Sequence, residues 1–403
     1  MKDKQIEKLI KVEEKRQKSV INLIPSENYV SKDVLTVLGS VFNNKYSEGY
    51  SGARYYGGNK ITDQIEDICQ ARALKVFGLN PEKWAVNVQP LSGSPANLAV
   101  YAALVPIGNK IMGMSLDQGG HLTHGHKVSM TGKIWQQVPY GVSAKTEMLD
   151  YGEIMEIAMT EKPDIIVAGF TAYPRQIDWE KFRKIANACG AYLMVDMSHI
   201  AGLVAGGVYP SPFETDGGAP LADIVTTTTH KTLRGPRAAM IFSRKIVAKN
   251  QSTKNPKTIS ELIDKAVFPG LQGGPHMNQI AGVAVALAEA VKPDFKKYAK
   301  QVVKNAKVLA DELTKKGWRV VSGGTDSHLL LVDVWMDGKG IGGAEASERL
   351  EKEGIIVNKN AIPFDTRKPT DPSGIRLGTP AETTRGKKET DFKKIAEKID
   401  QIL

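Results

Sequence analysis

Ile224-Val225-Thr226-Thr227-Thr228-Thr229-His230-Lys231-Thr232-Leu233-Arg234-Gly235-Pro236-Arg237 is the stretch on which the reading of the chain turns. A β-branched run ends in His-Lys and drops into a Gly-Pro turn. Such residues favour strands, so Lys231 stands at the end of a buried strand. A low dielectric disfavours the ammonium and lowers its pKa. A neutral, positioned amine is what a Schiff base with a carbonyl cofactor requires. The alternative is a lysine that only reaches out of a strand end toward water, and the rest of the chain has to decide.

The chain has 403 residues, of which 41% are hydrophobic, enough for a large core and two or three domains. A net charge of +10 suits an anionic substrate or cofactor, or nucleic acid. The lysines are scattered, as between Glu389 and Lys398, rather than interleaved with aromatics, and no nucleic-acid-binding motif stands out. Nucleic acid is therefore not expected as the primary partner. No run reaches the roughly 18 apolar residues of a membrane span. The start, Met1-Lys2-Asp3-Lys4-Gln5, is too charged for a signal peptide. Cys69 and Cys189 show no metal spacing, so a reducing compartment, the cytoplasm, is expected, with no metal site.

From about Leu23 to Val285 short apolar strands alternate with helices. The strands are read at Trp84–Val88, Lys110–Met114, Asp164–Gly169, Tyr192–Val195, Asp223–Thr229 and Ala238–Phe242. Several are apolar without a period of two, as strands buried on both faces are. Helices are expected at Pro95–Leu104, Asp150–Thr160 and Asp178–Cys189. The pattern predicts an α/β fold: a large domain, residues 23–285, with a mainly parallel mixed sheet flanked by helices. A smaller α+β domain follows over 286–403. Residues 1–22 form a helical arm whose narrow stripe, Ile6, Leu9 and Ile10, suits docking on a partner subunit.

Leu91-Ser92-Gly93-Ser94-Pro95-Ala96-Asn97 follows a strand and opens a helix. Ser94 is read as its N-cap and Pro95 as its first residue, and the free N–H groups there make an anion site. Asp196 ends a buried strand, where an acid can keep a pyridinium nitrogen protonated; a turn or helix cap is the other reading. His199 either orients Asp196 or simply packs. In Gly119-Gly120-His121-Leu122-Thr123-His124-Gly125 either histidine can stack on an aromatic cofactor. The Tyr46–Gly58 loop carries Glu48, an acid–base candidate if partly desolvated. Gly270–Pro275 offers backbone N–H groups to a phosphate across a subunit interface, and Arg376 can grip a carboxylate. Together these are the parts of a pyridoxal phosphate enzyme acting on amino acids.

With these blocks, and with Leu23–Tyr29, Phe268–Pro275, Val357–Asn360 and Gly374–Ala381, the chain resembles the serine hydroxymethyltransferase (glycine hydroxymethyltransferase) family. The resemblance runs from about residue 20 to 381. It implies the aspartate-aminotransferase-like fold and a homodimer with shared active sites, or a tetramer. It further implies that Lys231 bonds the cofactor, that His230 governs which reactions this bond enters, and that Thr228 lies near enough to manage its proton. Asp196 would pair with the pyridine nitrogen, His121 would stack on the ring, and His199 is counted with the cofactor-binding residues. Thr171 would bond the ring oxygen, where relatives have serine. Ser92, Gly93 and Ser94 would take the phosphate, helped by the partner's Tyr46, Gly273 and Gly274. Arg376 and Ser26 would receive the amino-acid carboxylate, and Glu48 with Tyr56 would move protons. Leu116, Gly120, Leu122 and Asn360 match pterin-contacting positions.

Two departures stand out. Ser198 replaces an alanine. Lys368-Pro369-Thr370 replaces a Ser-Pro-Phe, which leaves tetrahydrofolate and a tetrahydromethanopterin-like pterin as co-substrates. The implied activity is the reversible conversion of serine and a tetrahydropterin to glycine and the methylene-pterin. A pterin-independent aldolase for β-hydroxy amino acids is the alternative.

Overall fold

Every residue of Ile165–Gly169 and of Ile224–Thr228 is buried, the signature of strands covered on both faces. The computed structural model describes residues 1–403 except 216, 250, 252 and 253. Its main sheet contains β1 (Trp84–Asn87), β2 (Lys110–Met114), β3 (Gln136–Tyr140), β4 (Ile165–Gly169), β5 (Tyr192–Asp196), β6 (Ile224–Thr228) and β7 (Ala239–Arg244). The spatial order of these seven strands is β1-β7-β6-β5-β4-β2-β3. β7 runs antiparallel to its two neighbours, and the other pairings are parallel. The expected α/β architecture with a mainly parallel mixed sheet is what forms.

Alternate residues of the strands feed two cores. Ile111, Ile165, Val167, Met194, Ile224 and Ile241 pack with the helix α1 (Gly93–Leu104) on one face. Met112, Ile166, Leu193, Val195, Val225 and Phe242 pack on the other. β3 is absent from the sequence-based assignment. It is an edge strand of composition Gln-Gln-Val-Pro-Tyr, and a proline is tolerated only where one side of the ladder is free.

A second, four-stranded antiparallel sheet holds β8 (Arg319–Val320), β9 (Leu329–Asp333), β10 (Asn358–Asn360) and β11 (Gly374–Gly378), in the order β8-β9-β11-β10. Leu330, Val332, Ile375 and Leu377 form its core with Phe392, Ile395 and Ile399 of the last helix. Helix α2 (Pro293–Lys315) joins the two cores: Phe295, Ala299 and Val302 lie in the first, and Leu309, Ala310 and Leu313 in the second. Ile21–Asn22 pairs in parallel with Ile355–Ile356, and Leu23 packs in the second core.

The N-terminal helix, Lys4–Ser19, is capped by Asp3 and buries none of its residues in a single chain. Arg385 tethers its end by donating to Val20 O at 2.7 Å and to Gln17 O. No helix among the described residues is long and apolar enough to cross a membrane.

Ile224 is fully buried at the start of β6, the strand that leads to Lys231. Ile224→Ala should lower the unfolding free energy by about 2–5 kcal/mol through lost contact and a residual cavity. Urea unfolding of the cofactor-free chain measures this directly.

Candidate active site

The parallel strands all present their carboxyl ends at one edge of the sheet, and each end leads into a loop with a singular side chain. The register sets Asp196 beside Thr226 on one neighbour and Gly169 on the other. Thr171 therefore follows β4, Asp196 closes β5, and Lys231 lies just past β6. A cavity of about 240 Å³ opens there. Its wall includes Ser92, Gly93, Ser94, His121, Thr171, Asp196, His199, Thr228, His230 and Lys231.

The start of α1 differs from the sequence expectation. Ser92, not Ser94, is the N-cap, with φ −164° and ψ 177°, and Gly93 is the first helical residue. Pro95 sits deeper in the first turn, where its missing N–H costs nothing because those groups have no intrahelical acceptor. Ser92 makes no side-chain capping bond. The first-turn N–H groups and hydroxyl thus form an anion cradle at the positive end of the helix. Gly93 is required for close approach: a Cβ there would lie 2.8 Å from Thr228 Cγ2.

Asp196 accepts from Asn97 Nδ2 at 2.9 Å, His124 Nε2 at 3.2 Å and the Ser198 N–H at 3.0 Å. The His121 N–H donates to His124 Nδ1 at 3.3 Å, which leaves His124 Nε2 as the donor. Burial alone would raise the Asp196 pKa, but the hydrogen bonds it accepts, that from His124 foremost, outweigh it and hold the carboxyl well below the usual range. Asn97 is itself fixed, accepting from Thr226 Oγ1 at 2.8 Å and donating to Thr123 Oγ1 at 2.9 Å. His121 Nδ1 lies 2.7 Å from Thr123 Oγ1 and accepts the Thr123 N–H at 3.2 Å. Burial lowers the His121 pKa to about 4, so its ring is neutral and apolar-faced at neutral pH.

Burial also brings the Lys231 pKa down to about 8, although Asp196 pulls the other way. The Lys231 backbone is pinned by Asn28 Nδ2, which donates to its carbonyl at 3.0 Å. Burial takes His230 to about 3, and its Nδ1 is buried without a partner. Thr228 donates its N–H to Ser198 Oγ at 3.0 Å. His199 Nδ1 meets His328 Nε2 at 3.1 Å, with both rings buried. Arg376, on β11, donates to Thr171 O at 2.6 Å and to Asn358 Oδ1 at 2.9 Å, while its buried Nε has no partner.

Other expected site residues lie off this cavity wall. Ser26 lines an adjoining cavity of about 430 Å³ that shares His230 and Arg237 with the first. Tyr46, Glu48 and Tyr56 gather with Gly273 and Gly274. The Tyr46 and Tyr56 rings meet edge to face at 5.4 Å, and a Cβ on Gly273 would lie 3.3 Å from Glu48 Oε1. Arg54 holds this loop by donating to Ser47 O at 2.9 Å and Gly49 O at 2.8 Å while pairing with Asp63 and the buried Glu66. Leu116 and Leu122 are exposed on the loop after β2. Gly120 is fixed there by Thr171 Oγ1, which donates to its carbonyl at 2.9 Å. Asn360 bonds the Ala361 carbonyl at 2.6 Å.

Four contributors escaped the sequence reading: Asn97 and His124 as anchors of Asp196, Arg237 on the cavity wall, and Asn358 beside Arg376. Asn97 was findable, because it lies one turn after Gly93 and so shares its helix face.

A covalently available amine, an ionised buried acid and an anion cradle on one cavity fit pyridoxal phosphate, and the fold is that of the pyridoxal phosphate–dependent α/β enzymes. Residues 1–399 match the serine hydroxymethyltransferase family. A mitochondrial serine hydroxymethyltransferase of Candida glabrata is 52% identical over 410 residues, covering 100% of this chain and 83% of the relative. A serine hydroxymethyltransferase of Acidothermus cellulolyticus is 52% identical over 400 residues, covering 99% and 88%. A probable cytosolic serine hydroxymethyltransferase of Schizosaccharomyces pombe is 50% identical over 408 residues, covering 100% and 85%. The chain belongs to the serine hydroxymethyltransferase family. It is a pyridoxal phosphate–dependent transferase that interconverts serine and glycine with tetrahydrofolate as co-substrate, a reading favoured over the pterin-independent aldolase.

Only the neutral amine attacks a carbonyl, so capture of pyridoxal phosphate by cofactor-free protein should accelerate as pH rises. The midpoint should fall near pH 8, against 10.5 for an ordinary lysine. Stopped-flow absorbance across that range gives the profile.

Proposed function

We propose that the cavity at Lys231 holds the cofactor and that its neighbours divide the reaction among them. The observation that carries this is the placement of Lys231, Asp196 and the start of α1 on one wall. Lys231 would bond the cofactor carbonyl through Nζ. Ser92, Gly93 and Ser94 would take the phosphate, His121 would lie against the ring, and Thr171 would bond its oxygen. Pyridoxal phosphate, when bound, supplies a ring that accepts the electron pair left on the amino acid's α-carbon. Asp196, held ionised by Asn97 and His124, keeps a proton on the ring nitrogen, with His199 on the same cavity wall. Arg376 grips the substrate carboxylate with Ser26 close by, which fixes the bond to be broken. His230 and Thr228 sit where they can control proton traffic at Lys231.

Glu48, assisted by Tyr56, moves the proton of the serine hydroxyl as the bond between the α- and β-carbons breaks. The β-carbon passes to the pterin, and the products are glycine, methylene-tetrahydrofolate and water. Leu116, Gly120, Leu122 and Asn360 would flank the pterin, with exposed Lys368-Pro369-Thr370 further along the chain. The separation of the Glu48–Tyr46–Gly273 cluster from the Lys231 cavity favours a homodimer in which each chain completes its partner's site. The exposed stripe of the N-terminal helix offers one seat for a second copy. We also read residues 1–22, 23–285 and 286–403 as arm, large domain and small domain, and the cytoplasm as the setting.

Borohydride should fix the cofactor to Lys231, found by peptide mass spectrometry, and Lys231→Arg should abolish the label. Glu48→Gln should keep glycine binding but lose pterin-dependent serine cleavage by about 100-fold or more. Mixing the Lys231→Arg and Glu48→Gln proteins in equal amounts, with subunit exchange, should restore about a quarter of native activity through hybrid dimers. No recovery after verified exchange would mean that each chain builds its own site.

A further inference from the structure

We propose that Asn358 aims Arg376 at the substrate carboxylate and that its neutrality reserves the guanidinium charge for that carboxylate. This rests on the reading of Arg376 as the carboxylate-binding residue. The two residues face each other directly in the antiparallel pairing of β10 with β11. Directly opposed residues project from the same face of a sheet, and here they meet: Arg376 Nη2 donates to Asn358 Oδ1 at 2.9 Å. The other arm of the guanidinium, Nη1, donates to Thr171 O on the main-sheet side at 2.6 Å. Two acceptors on two elements fix the plane of the group.

Both acceptors are neutral. Among the described residues no carboxylate pairs with Arg376, and its buried Nε has no partner. A buried guanidinium without a counter-charge is an incomplete arrangement, because burying a charge is costly unless it is paired. The substrate carboxylate completes it. An aspartate at 358 would complete it permanently, since arginine and carboxylate form strong charge-assisted bonds. An apolar residue there would strand Nη2 without an acceptor.

Calorimetric titration of the holoenzyme tests this with two ligands, glycine and the carboxylate-free amine 2-aminoethanol. Asn358→Asp should weaken glycine binding by about tenfold or more while 2-aminoethanol binding stays within about twofold. Asn358→Ser, which keeps an oxygen acceptor, should stay within about threefold of native for glycine. Cofactor content, read by absorbance, should match the native enzyme in both variants. Equal weakening of both ligands, or native glycine affinity in Asn358→Asp, would overturn the proposal. Arg376→Leu separates the two readings. If it loses glycine selectively while Asn358→Asp does not, Asn358 is excluded and Arg376 stands. If Arg376→Leu binds glycine normally, the reading of Arg376 itself falls.

Discussion

Parallel pairing imposes a direction on the whole molecule. When strands run the same way, their carboxyl ends share one edge, and whatever follows each strand is delivered to the same crevice. In this chain β4, β5 and β6 are locked in register through Gly169, Asp196 and Thr226. That lock converts residues scattered from Ser92 to Lys231 into one cavity wall. The hydrogen-bonded ladder, with a hydrophobic core on each face, is the constraint on which the chemistry depends. The loops can vary, but the spacing of their anchor points cannot.

The electrostatics of the cavity follow from the same burial. Lys231, Arg237 and Arg376 contribute cationic groups, and Asp196 is the carboxylate on the cavity wall. Asp196 is spoken for by Asn97, His124 and the Ser198 N–H. The remaining positive field, with the positive end of α1, suits a phosphate and a carboxylate bound together. The histidines are pushed toward neutrality by burial, His121 to about 4 and His230 to about 3. They therefore add polar atoms and flat surface without adding to the excess positive charge.

Much of this was legible in the sequence because each anchor carries its own local signature. The β-branched run before His230 reads as a strand, Asp196 closes an apolar segment, and Ser94 with Pro95 marks a helix start to within two residues. What was not legible depends on tertiary contact. β3, with two glutamines and a proline, gains strand structure only from pairing with β2. The helix opens at Ser92 rather than Ser94, and Gly93 in its first turn packs so close to Thr228 that a Cβ would not fit, a contact no local window of sequence specifies. The bond between Asn358 and Arg376 depends on a register that no short window of sequence specifies. The grouping of Glu48 with Gly273, more than 200 residues apart in the chain, is likewise a product of folding.

Helix α2 carries a mechanical consequence. Its first half is embedded in the core of the main sheet and its second half in the core of the small one. A single rigid strut of 23 residues thus belongs to both hydrophobic bodies, and neither can melt without exposing part of the other's packing. Thermal energy spent loosening the sheet that bears Arg376 is felt at the sheet that bears Lys231. The strut makes the two sheets that carry the proposed site share one fate, which favours loss of structure in a concerted step over piecemeal release of the small sheet.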